Sequence, residues 1–256
     1  MGPLAGVAVL VTRPEQQASA LCSLLESAGA TVVRLPVMEI QPVAPPLPVG
    51  NGFGSVDLVI FTSANAVKFG AGLLDRRGTP DLVAIGPATA RALAQTGLKE
   101  ITAPAAGFDS ENLLAHPRLA NVNGQRVLIM TGRHGRQLLQ EQLALRGAQI
   151  VVAEVYERVR AIPAPADIAV LERRFADHHI DVITATSADI ATYLLELAGP
   201  ALRRAFDQVH WLVPSERVAA AVRAQGVRGP FLLAASAADQ DSLAAVLRWR
   251  ASESGA

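Results

Sequence analysis

Hydroxyl, amide, glycine and arginine residues recur where short apolar runs give way to helical patterns. Thr12 and Arg13 follow one such run, and Thr131, Gly132 and Arg133 follow another. A strand-to-helix junction gathers unpaired backbone N–H groups at the positive end of a helix dipole, which suits carboxylates and phosphates. The other members of this set are Thr62, Ser63, Asn65, Gly86, Thr89, Arg136, Ser187, Ser215 and Arg217. Together they predict a binding site for a small molecule that carries several negative charges.

Helix capping is the alternative explanation for the hydroxyl residues. Serine, threonine, asparagine and aspartate accept hydrogen bonds from the free N–H groups wherever a helix begins. Ser63, Thr89, Ser187 and Ser215 can each be explained in this way, and we interpret Asp109 and Asp239 as caps. Only the collective pattern therefore indicates a ligand.

The arginines are harder to explain by capping, because the helix dipole disfavours a cation at a helix start. Arg13 stands directly before Pro14 at such a start. Its position indicates either a bound anion or a neighbouring carboxylate, and both interpretations remain open at this stage.

Cofactor and metal chemistry have no support in the sequence. No Gly-x-Gly-x-x-Gly follows an apolar run and no P-loop lysine motif occurs, so neither a dinucleotide nor an NTP is expected. The five histidines lack metal-ligand spacing, and no nucleophilic triad or carboxylate dyad is evident. The single cysteine, Cys22, stands among leucines and is interpreted as a core residue. We expect no cofactor and no metal.

Composition narrows the class of partner. The 256 residues carry 23 basic and 23 acidic side chains, so the formal net charge is zero, which argues against a broad nucleic-acid surface. No apolar span is long enough to cross a membrane, and the run Val7–Val11 is too short for a signal peptide. We expect a cytoplasmic monomer that binds a small molecule, without nucleic acid or membrane.

Short β-branched runs alternate with amphipathic stretches, which predicts an α/β fold with parallel sheets. Predicted strands are Val7–Val11, Ala30–Leu35, Leu58–Phe61, Leu82–Ile85, Val127–Met130, Gln149–Val152, Asp181–Thr184 and Trp211–Val213, and predicted helices are Gln16–Ala28, Ala88–Thr96, Arg136–Arg146 and Glu216–Gln225. Gly29, Gly97, Gly147 and Gly226 stand just past helices, where a left-handed cap residue is favoured. The proline-rich stretches 41–54 and 161–166 are interpreted as loops or linkers.

An internal repeat runs through the chain. Val-Leu-Val-Thr-Arg (9–13) recurs as Val-Leu-Ile-Met-Thr-Gly-Arg (127–133), and in each copy a helix and a Gly-Ala start of the next strand follow. Thr-Ser-Ala-Asn (62–65) recurs as Thr-Ser-Ala-Asp (186–189), and two later landmarks keep the same order. The sequence therefore holds two copies of one α/β unit, which a naive cut would separate at 121–124.

The order of these motifs resembles the uroporphyrinogen-III synthase family over nearly the whole chain. The matching stretches are Val-Leu-Val-Thr-Arg-Pro (9–14), Ile-Phe-Thr-Ser-Ala-Asn-Ala-Val (60–67), Ala-Ile-Gly-Pro-Ala-Thr-Ala (84–90) and Val-Ala-Glu-Val-Tyr-Glu-Arg-Val (152–159). The resemblance implies two similar doubly wound, flavodoxin-like domains: 1–36 with 160–256, and 42–152. It also implies hinge strands at 37–41 and 153–159, and the alternation of Val155, Glu157 and Val159 is compatible with an exposed two-stranded ladder.

The reaction implied by this resemblance is the cyclisation of hydroxymethylbilane, a linear tetrapyrrole polycarboxylate, to uroporphyrinogen III with inversion of ring D. It belongs to haem, sirohaem and cobalamin biosynthesis, and transient contact with the preceding pathway enzyme stays open. Tyr156 is the candidate catalytic residue, because by resemblance the tyrosine of the hinge segment points into the cleft. The alternatives are an intracellular two-domain binder or sensor of an anionic metabolite, and a transferase acting on a phosphorylated substrate.

Overall fold

The computed structural model describes residues 2–45, 56–74, 80–98, 101–104, 107, 109–135 and 137–254. Of the predicted loop at 41–54, residues 46–54 lie outside this part of the chain. Among the described residues, no helix has the length and apolar character needed to cross a membrane.

Strands and helices alternate along the chain. The strands are β1 (Ala8–Val11), β2 (Thr31–Arg34), β3 (Met38–Pro42), β4 (Leu58–Phe61), β5 (Asp81–Ala84), β6 (Ile101–Thr102), β7 (Arg126–Gly132), β8 (Gln149–Arg160), β9 (Val182–Thr184), β10 (His210–Val213) and β11 (Phe231–Leu233). The helices are α1 (Glu15–Ser27), α2 (Ala64–Gly70), α3 (Pro87–Gln95), α4 (Ser110–Leu114), α5 (Pro117–Ala120), α6 (Leu138–Leu145), α7 (Pro165–Ala176), α8 (Ala188–Leu197), α9 (Pro200–Phe206), α10 (Glu216–Ala224) and α11 (Asp239–Ser254), with a short 3-10 helix at Ala71–Leu73.

The strands form two sheets, one with the order β11-β10-β9-β1-β2 and one with the order β3-β8-β7-β4-β5-β6. All neighbours in the first sheet are parallel, as are those from β8 to β6 in the second. Central strands such as β1 and β4 are buried along their whole length, because helices cover both faces of a parallel sheet. The predicted α/β fold with parallel sheets is confirmed.

The chain divides into two compact units, Met1–Glu39 with Val159–Ala256 (unit 1) and Ile40–Arg158 (unit 2). Their strand orders correspond, since β1 and β2 occupy the places of β7 and β8, and β9, β10 and β11 those of β4, β5 and β6. The internal repeat is therefore present in the structure, but each unit takes one half from each copy. The cut at 121–124 would have separated strands that pair.

Glycine residues end four of the helices as the sequence indicates. Gly29, Gly97, Gly147 and Gly226 have φ angles of 96°, 80°, 85° and 93°. A side chain is disfavoured in this left-handed conformation. The predicted cap positions are confirmed.

Cys22 lies in the core of unit 1 and is fully buried. Burial raises the pKa of its thiol, so the sulfur remains protonated and unreactive near neutral pH. Its interpretation as a core residue is confirmed.

Two expectations about the second half of the chain are corrected. The stretch 161–166 is not a linker throughout, because α7 begins at Pro165, and proline suits a first helical position that needs no N–H donor. Val155 does not belong to an exposed ladder, because it is fully buried and the strand around it is irregular.

Arg13 is held inside unit 1 by a carboxylate. Its guanidinium pairs with Asp239 at the start of α11, and Nη2 lies 3.4 Å from the carbonyl oxygen of Ala237. Only 7% of the Arg13 side chain is exposed. Of the two interpretations left open by the sequence, the structure shows the neighbouring carboxylate, which joins the loop after β1 to the last helix of unit 1.

Replacing Asp239 tests how much this ion pair stabilises unit 1. Asp239→Asn leaves a buried guanidinium without its counter-charge, so we expect the free energy of unfolding to fall by about 3 kcal/mol. Glu196→Gln is the matched control, because its pair with Arg160 is about half exposed and should cost less than about 1 kcal/mol. Urea unfolding measures both variants, and equal losses would contradict a special role for the buried pair.

Candidate active site

A cavity lies in unit 2 at the carboxyl edge of the sheet, next to the paired strands β4 and β7. From β4 the chain continues to β5 on one side, and from β7 it continues to β8 on the other. Ligands of open parallel sheets bind at such switch points. The cavity has a volume of about 270 Å³ and is lined by Thr62, Ser63, Ile85, Ser110, Thr131, Gly132, Arg133, Gly135, Leu139, Tyr156 and Arg158.

A larger cavity of about 550 Å³ lies in unit 1 between α7 and α9. Its lining includes none of the residues predicted to bind a ligand, and no sheet edge contributes to it. By volume alone, the cavity of unit 1 is the better candidate for a ligand site. The chemistry of the lining residues favours the cavity of unit 2 instead.

Tyr156 reaches the cavity through an irregularity in β8. Thr131 of β7 pairs with Glu154, yet the next residue, Gly132, pairs with Tyr156, so β8 holds one extra residue at Val155. Such a bulge interrupts the alternation of the strand and redirects a side chain. As a result Val155 and Tyr156 are both buried, and 4% of Tyr156 is exposed.

Gly132 allows the tyrosine ring to approach the end of β7. A Cβ atom at this position would lie 2.6 Å from Tyr156 Cζ and 2.9 Å from its Oη, closer than van der Waals contact permits. The backbone N–H of the following residue, Arg133, donates to the carbonyl oxygen of Tyr156 at 2.8 Å. The requirement for glycine at this position is therefore steric. Backbone conformation does not explain it, because the φ angle of Gly132 is not in the left-handed region.

Hydroxyl groups from neighbouring strands meet beside this ring. Thr62 Oγ1 lies 3.0 Å from Thr131 Oγ1 and 3.3 Å from the carbonyl oxygen of Met130. Ser63 Oγ accepts from the N–H of Ala66 at 3.0 Å, which caps α2, and lies 3.1 Å from Tyr156 Oη. Ser63 therefore caps α2 and also lines the cavity.

Arginines stand at the edge of the cavity. The guanidinium of Arg133 donates to Glu157 at 3.0 Å and lies 3.7 Å from Glu154, with 44% of its side chain exposed. The Arg158 guanidinium carbon lies 5.9 Å from the centre of the Tyr156 ring. An anionic ligand that binds Arg133 would have to share its guanidinium with the carboxylates of Glu154 and Glu157.

The structure thus brings together five of the predicted binding residues and Tyr156. The five are Thr62, Ser63, Thr131, Gly132 and Arg133. Residues that sequence reasoning missed are Ile85, Ser110, Gly135, Leu139 and Arg158. Gly135 carried a signal, because it follows Arg133 in a strand-to-helix loop, and a Cβ there would lie 2.7 Å from Thr131 Oγ1.

Other predicted residues are not among those that line this cavity. Gly86 caps α3, and Thr89 is buried within that helix. Asn65 is partly exposed in α2, and Arg136 lies outside the described residues.

In unit 1 the equivalent edge is organised differently. Thr12 Oγ1 donates to the carbonyl oxygen of Thr184, and Thr184 Oγ1 accepts from the N–H of Thr12 at 3.3 Å. Ser187 and Ser215 cap α8 and α10, while Arg217 is exposed. The side chains of Thr12 and Arg13 are thus occupied within the unit.

Comparison with known proteins identifies the family to which this chain belongs. The model of the family described as uroporphyrinogen-III synthase HemD matches residues 19–245. The chain belongs to the uroporphyrinogen-III synthase family. A uroporphyrinogen-III synthase of Escherichia coli (strain K12) is 31% identical over 256 residues, covering 94% of this chain and 100% of that protein. One from Synechococcus elongatus is 32% identical over 199 residues, covering 73% and 72%.

Solved structures of uroporphyrinogen-III synthases share the fold. A mutant enzyme from the extreme thermophile Thermus thermophilus gives a TM-score of 0.60 at 23% identity, covering 96% of this chain and 99% of that one. The protein from Helicobacter pylori 26695 gives 0.61 at 14% identity, covering 95% and 99%. At these identities the likeness establishes the fold alone.

Gly132→Ala tests the close approach of Tyr156. The added methyl group must displace the ring or the end of β7, and overpacking of this kind costs about 1–3 kcal/mol in the free energy of unfolding. Gly72→Ala is the control in the same unit, since nothing lies within 4 Å of its added Cβ. Urea unfolding compares the two variants, and a Gly132→Ala protein as stable as the control would show that the ring yields freely.

Proposed function

We propose that this protein catalyses the dehydration and cyclisation of hydroxymethylbilane to uroporphyrinogen III, a step of tetrapyrrole biosynthesis. The observation that carries the proposal is the cavity at the β4–β7 switch point, lined by hydroxyl groups and one phenol. Membership of the uroporphyrinogen-III synthase family supports the choice of substrate.

The size of the cavity indicates which part of the substrate it receives. Its volume of about 270 Å³ lies below the range of roughly 300–1,000 Å³ that encloses a drug-sized ligand. One pyrrole with its side chains therefore fits better than a whole tetrapyrrole. The remaining carboxylates need other donors, and Ser187, Ser215 and Arg217 of unit 1 stay in the proposed binding set.

The chemistry begins when the terminal hydroxyl of the substrate departs. Tyr156 Oη donates its proton to that hydroxyl, the C–O bond breaks, water leaves, and the pyrrole nitrogen stabilises the resulting cation. The substituted carbon of the last pyrrole then attacks the cationic carbon and forms a spiro intermediate. This intermediate opens and recloses with ring D inverted, and the surplus ring proton returns to the Tyr156 phenolate. The balance is the loss of one water.

Orientation supplies most of the catalysis, because the substrate closes unaided to the symmetric isomer. A bound chain that presents the substituted carbon to the cation has already lost the freedom that unguided ring closure requires. This explains why a site with hydroxyl groups and one buried phenol suffices, without a carboxylate pair.

The experiment that tests the function is an assay with hydroxymethylbilane, followed by separation of the uroporphyrinogen isomers. The proposal predicts isomer III, formed faster than in buffer. Only isomer I, at the uncatalysed rate, would refute it and would favour a protein that merely binds an anionic metabolite.

Tyr156→Phe tests the proton donor. Loss of a general acid that assists a good leaving group should lower kcat modestly for such a group, by about 100-fold, while the product remains isomer III. Tyr193→Phe is the matched control, since Tyr193 lies in α8 of unit 1 and contributes nothing to the lining of this cavity. Unchanged turnover in Tyr156→Phe would remove the phenol from the chemistry.

We also propose that the units are flavodoxin-like domains, 1–36 with 160–256 and 42–152, joined by hinge strands at 37–41 and 153–159. The antiparallel pairing of β3 and β8 supports this, because Val43 N–H donates to Val155 O and Ala161 N–H donates to Val37 O. A structure with product bound should show backbone angles that change only within these strands, and changes spread through either unit would contradict the proposal.

The protein is proposed to act as a cytoplasmic monomer. The balanced charge and the neutral pI of the sequence support a free small-molecule enzyme. Sedimentation equilibrium of the active enzyme should give the mass of one chain, 26.8 kDa, and a stable dimer would contradict the proposal.

A further inference from the structure

The hydrogen bonds of Ser63 define a limited set of proton positions beside Tyr156. A serine hydroxyl has one proton to donate and two acceptor positions. The backbone N–H of Ala66 uses one acceptor position, at 3.0 Å. The Ser63 proton is then free to point at Tyr156 Oη, 3.1 Å away.

We infer that Ser63 donates to Tyr156 Oη and thereby leaves the proton of the phenol directed into the cavity. The inference rests on the proposed function, in which that proton is given to the departing hydroxyl. In the reverse arrangement the phenol would donate to Ser63, and its proton would be withheld from the substrate. Ser63 is on this account a positioning residue that acts through Tyr156.

The geometry around the phenol favours this arrangement. Tyr156 is 4% exposed, so the charge that develops as it loses its proton cannot be stabilised by bulk water. A hydroxyl already aimed at Oη stabilises a phenolate more strongly than a neutral phenol, because hydrogen bonds to charged oxygen are the stronger ones. Gly132 leaves room for Oη at this position, since a Cβ atom there would lie only 2.9 Å from that oxygen.

The capping role of Ser63 provides a way to separate structure from catalysis. Ser63→Thr keeps the cap and the hydroxyl. Ser63→Gly removes the hydroxyl and weakens the cap only slightly. Ser63→Asp caps α2 as well as serine does but offers no donor and places a negative charge beside Oη. A purely structural role therefore ranks aspartate above glycine, and a positioning role ranks glycine above aspartate.

The expected results are a kcat close to that of the parent for Ser63→Thr and a kcat lowered about tenfold for Ser63→Gly, the loss of one charge-assisted hydrogen bond. Ser63→Asp should have the lowest kcat while its thermal unfolding temperature equals or exceeds that of Ser63→Gly. The KM of Ser63→Gly should stay within about twofold of the parent, because the interaction strengthens only as the proton leaves.

A double-mutant cycle with Tyr156→Phe completes the test. If Ser63 acts through the phenol, Ser63→Gly should lower kcat no further once that phenol is absent. A tenfold loss that persists in the Tyr156→Phe background, or a Ser63→Asp enzyme as active as Ser63→Thr, would overturn the inference and leave the proposed function standing. Unchanged kcat in Tyr156→Phe alone would overturn both roles at once, whereas formation of isomer I alone by the parent enzyme would reject the function itself.

Discussion

The pairing of β4 with β7 is the constraint on which the site depends. Its register sets Phe61 opposite Met130, so the residues that follow, Thr62 and Thr131, lie side by side at the end of this pairing. Their hydroxyl oxygens lie 3.0 Å apart for this reason. Because a shift of one residue would turn every side chain of the shifted strand to the other face of the sheet, the packing that fixes the register of these strands also fixes the position of the polar residues at their ends.

The two units share one strand order but differ in the contacts made at the carboxyl ends of their strands. In unit 2 the switch point is open, because an extra residue in β8 and a missing side chain at Gly132 make room for a tyrosine ring and a cavity beside it. In unit 1 the equivalent strand ends are tied by Thr12 and Thr184, and the buried pair of Arg13 and Asp239 fastens α11 to β1. The two units thus share a strand order, while similar polar residues at the strand ends make different contacts in each.

The elements with a strong apolar period were predictable, and the contacts between distant residues were not. Apolar runs such as that of β4 identify a buried strand without knowledge of its neighbours, and glycines such as Gly29 identify the helix ends. The two residues of β6 and the three of β11 are too short to show a period. The start of α7 was not predictable either, because proline occurs both in loops and in the first turn of a helix, and Pro163 and Pro165 are compatible with both.

Within the site, residue types indicated an anion-binding edge, but partner identity required the fold. Arg13 and Asp239 are 226 residues apart in sequence, and Ser63 and Tyr156 are 93 apart, so no local pattern could join them. The bulge at Val155 depends on the register against β7 and left no mark in the alternation of its own strand.

The exchange of halves between the two repeats has a consequence for how the chain reaches its native state. Unit 2 is continuous from Ile40 to Arg158 and holds all the strands between β4 and β8, so its sheet can close as soon as that stretch has left the ribosome. Unit 1 must wait, because β1 pairs with β9 across a separation of 173 residues, as between Val9 and Val182, and α1 packs against α11 near the end of the chain. Such distant partners close late and slowly. During that interval the apolar surfaces that β1 and α1 present to β9 and α11 have no partner, which makes the segment Met1–Glu39 a part of the nascent chain that needs protection from aggregation.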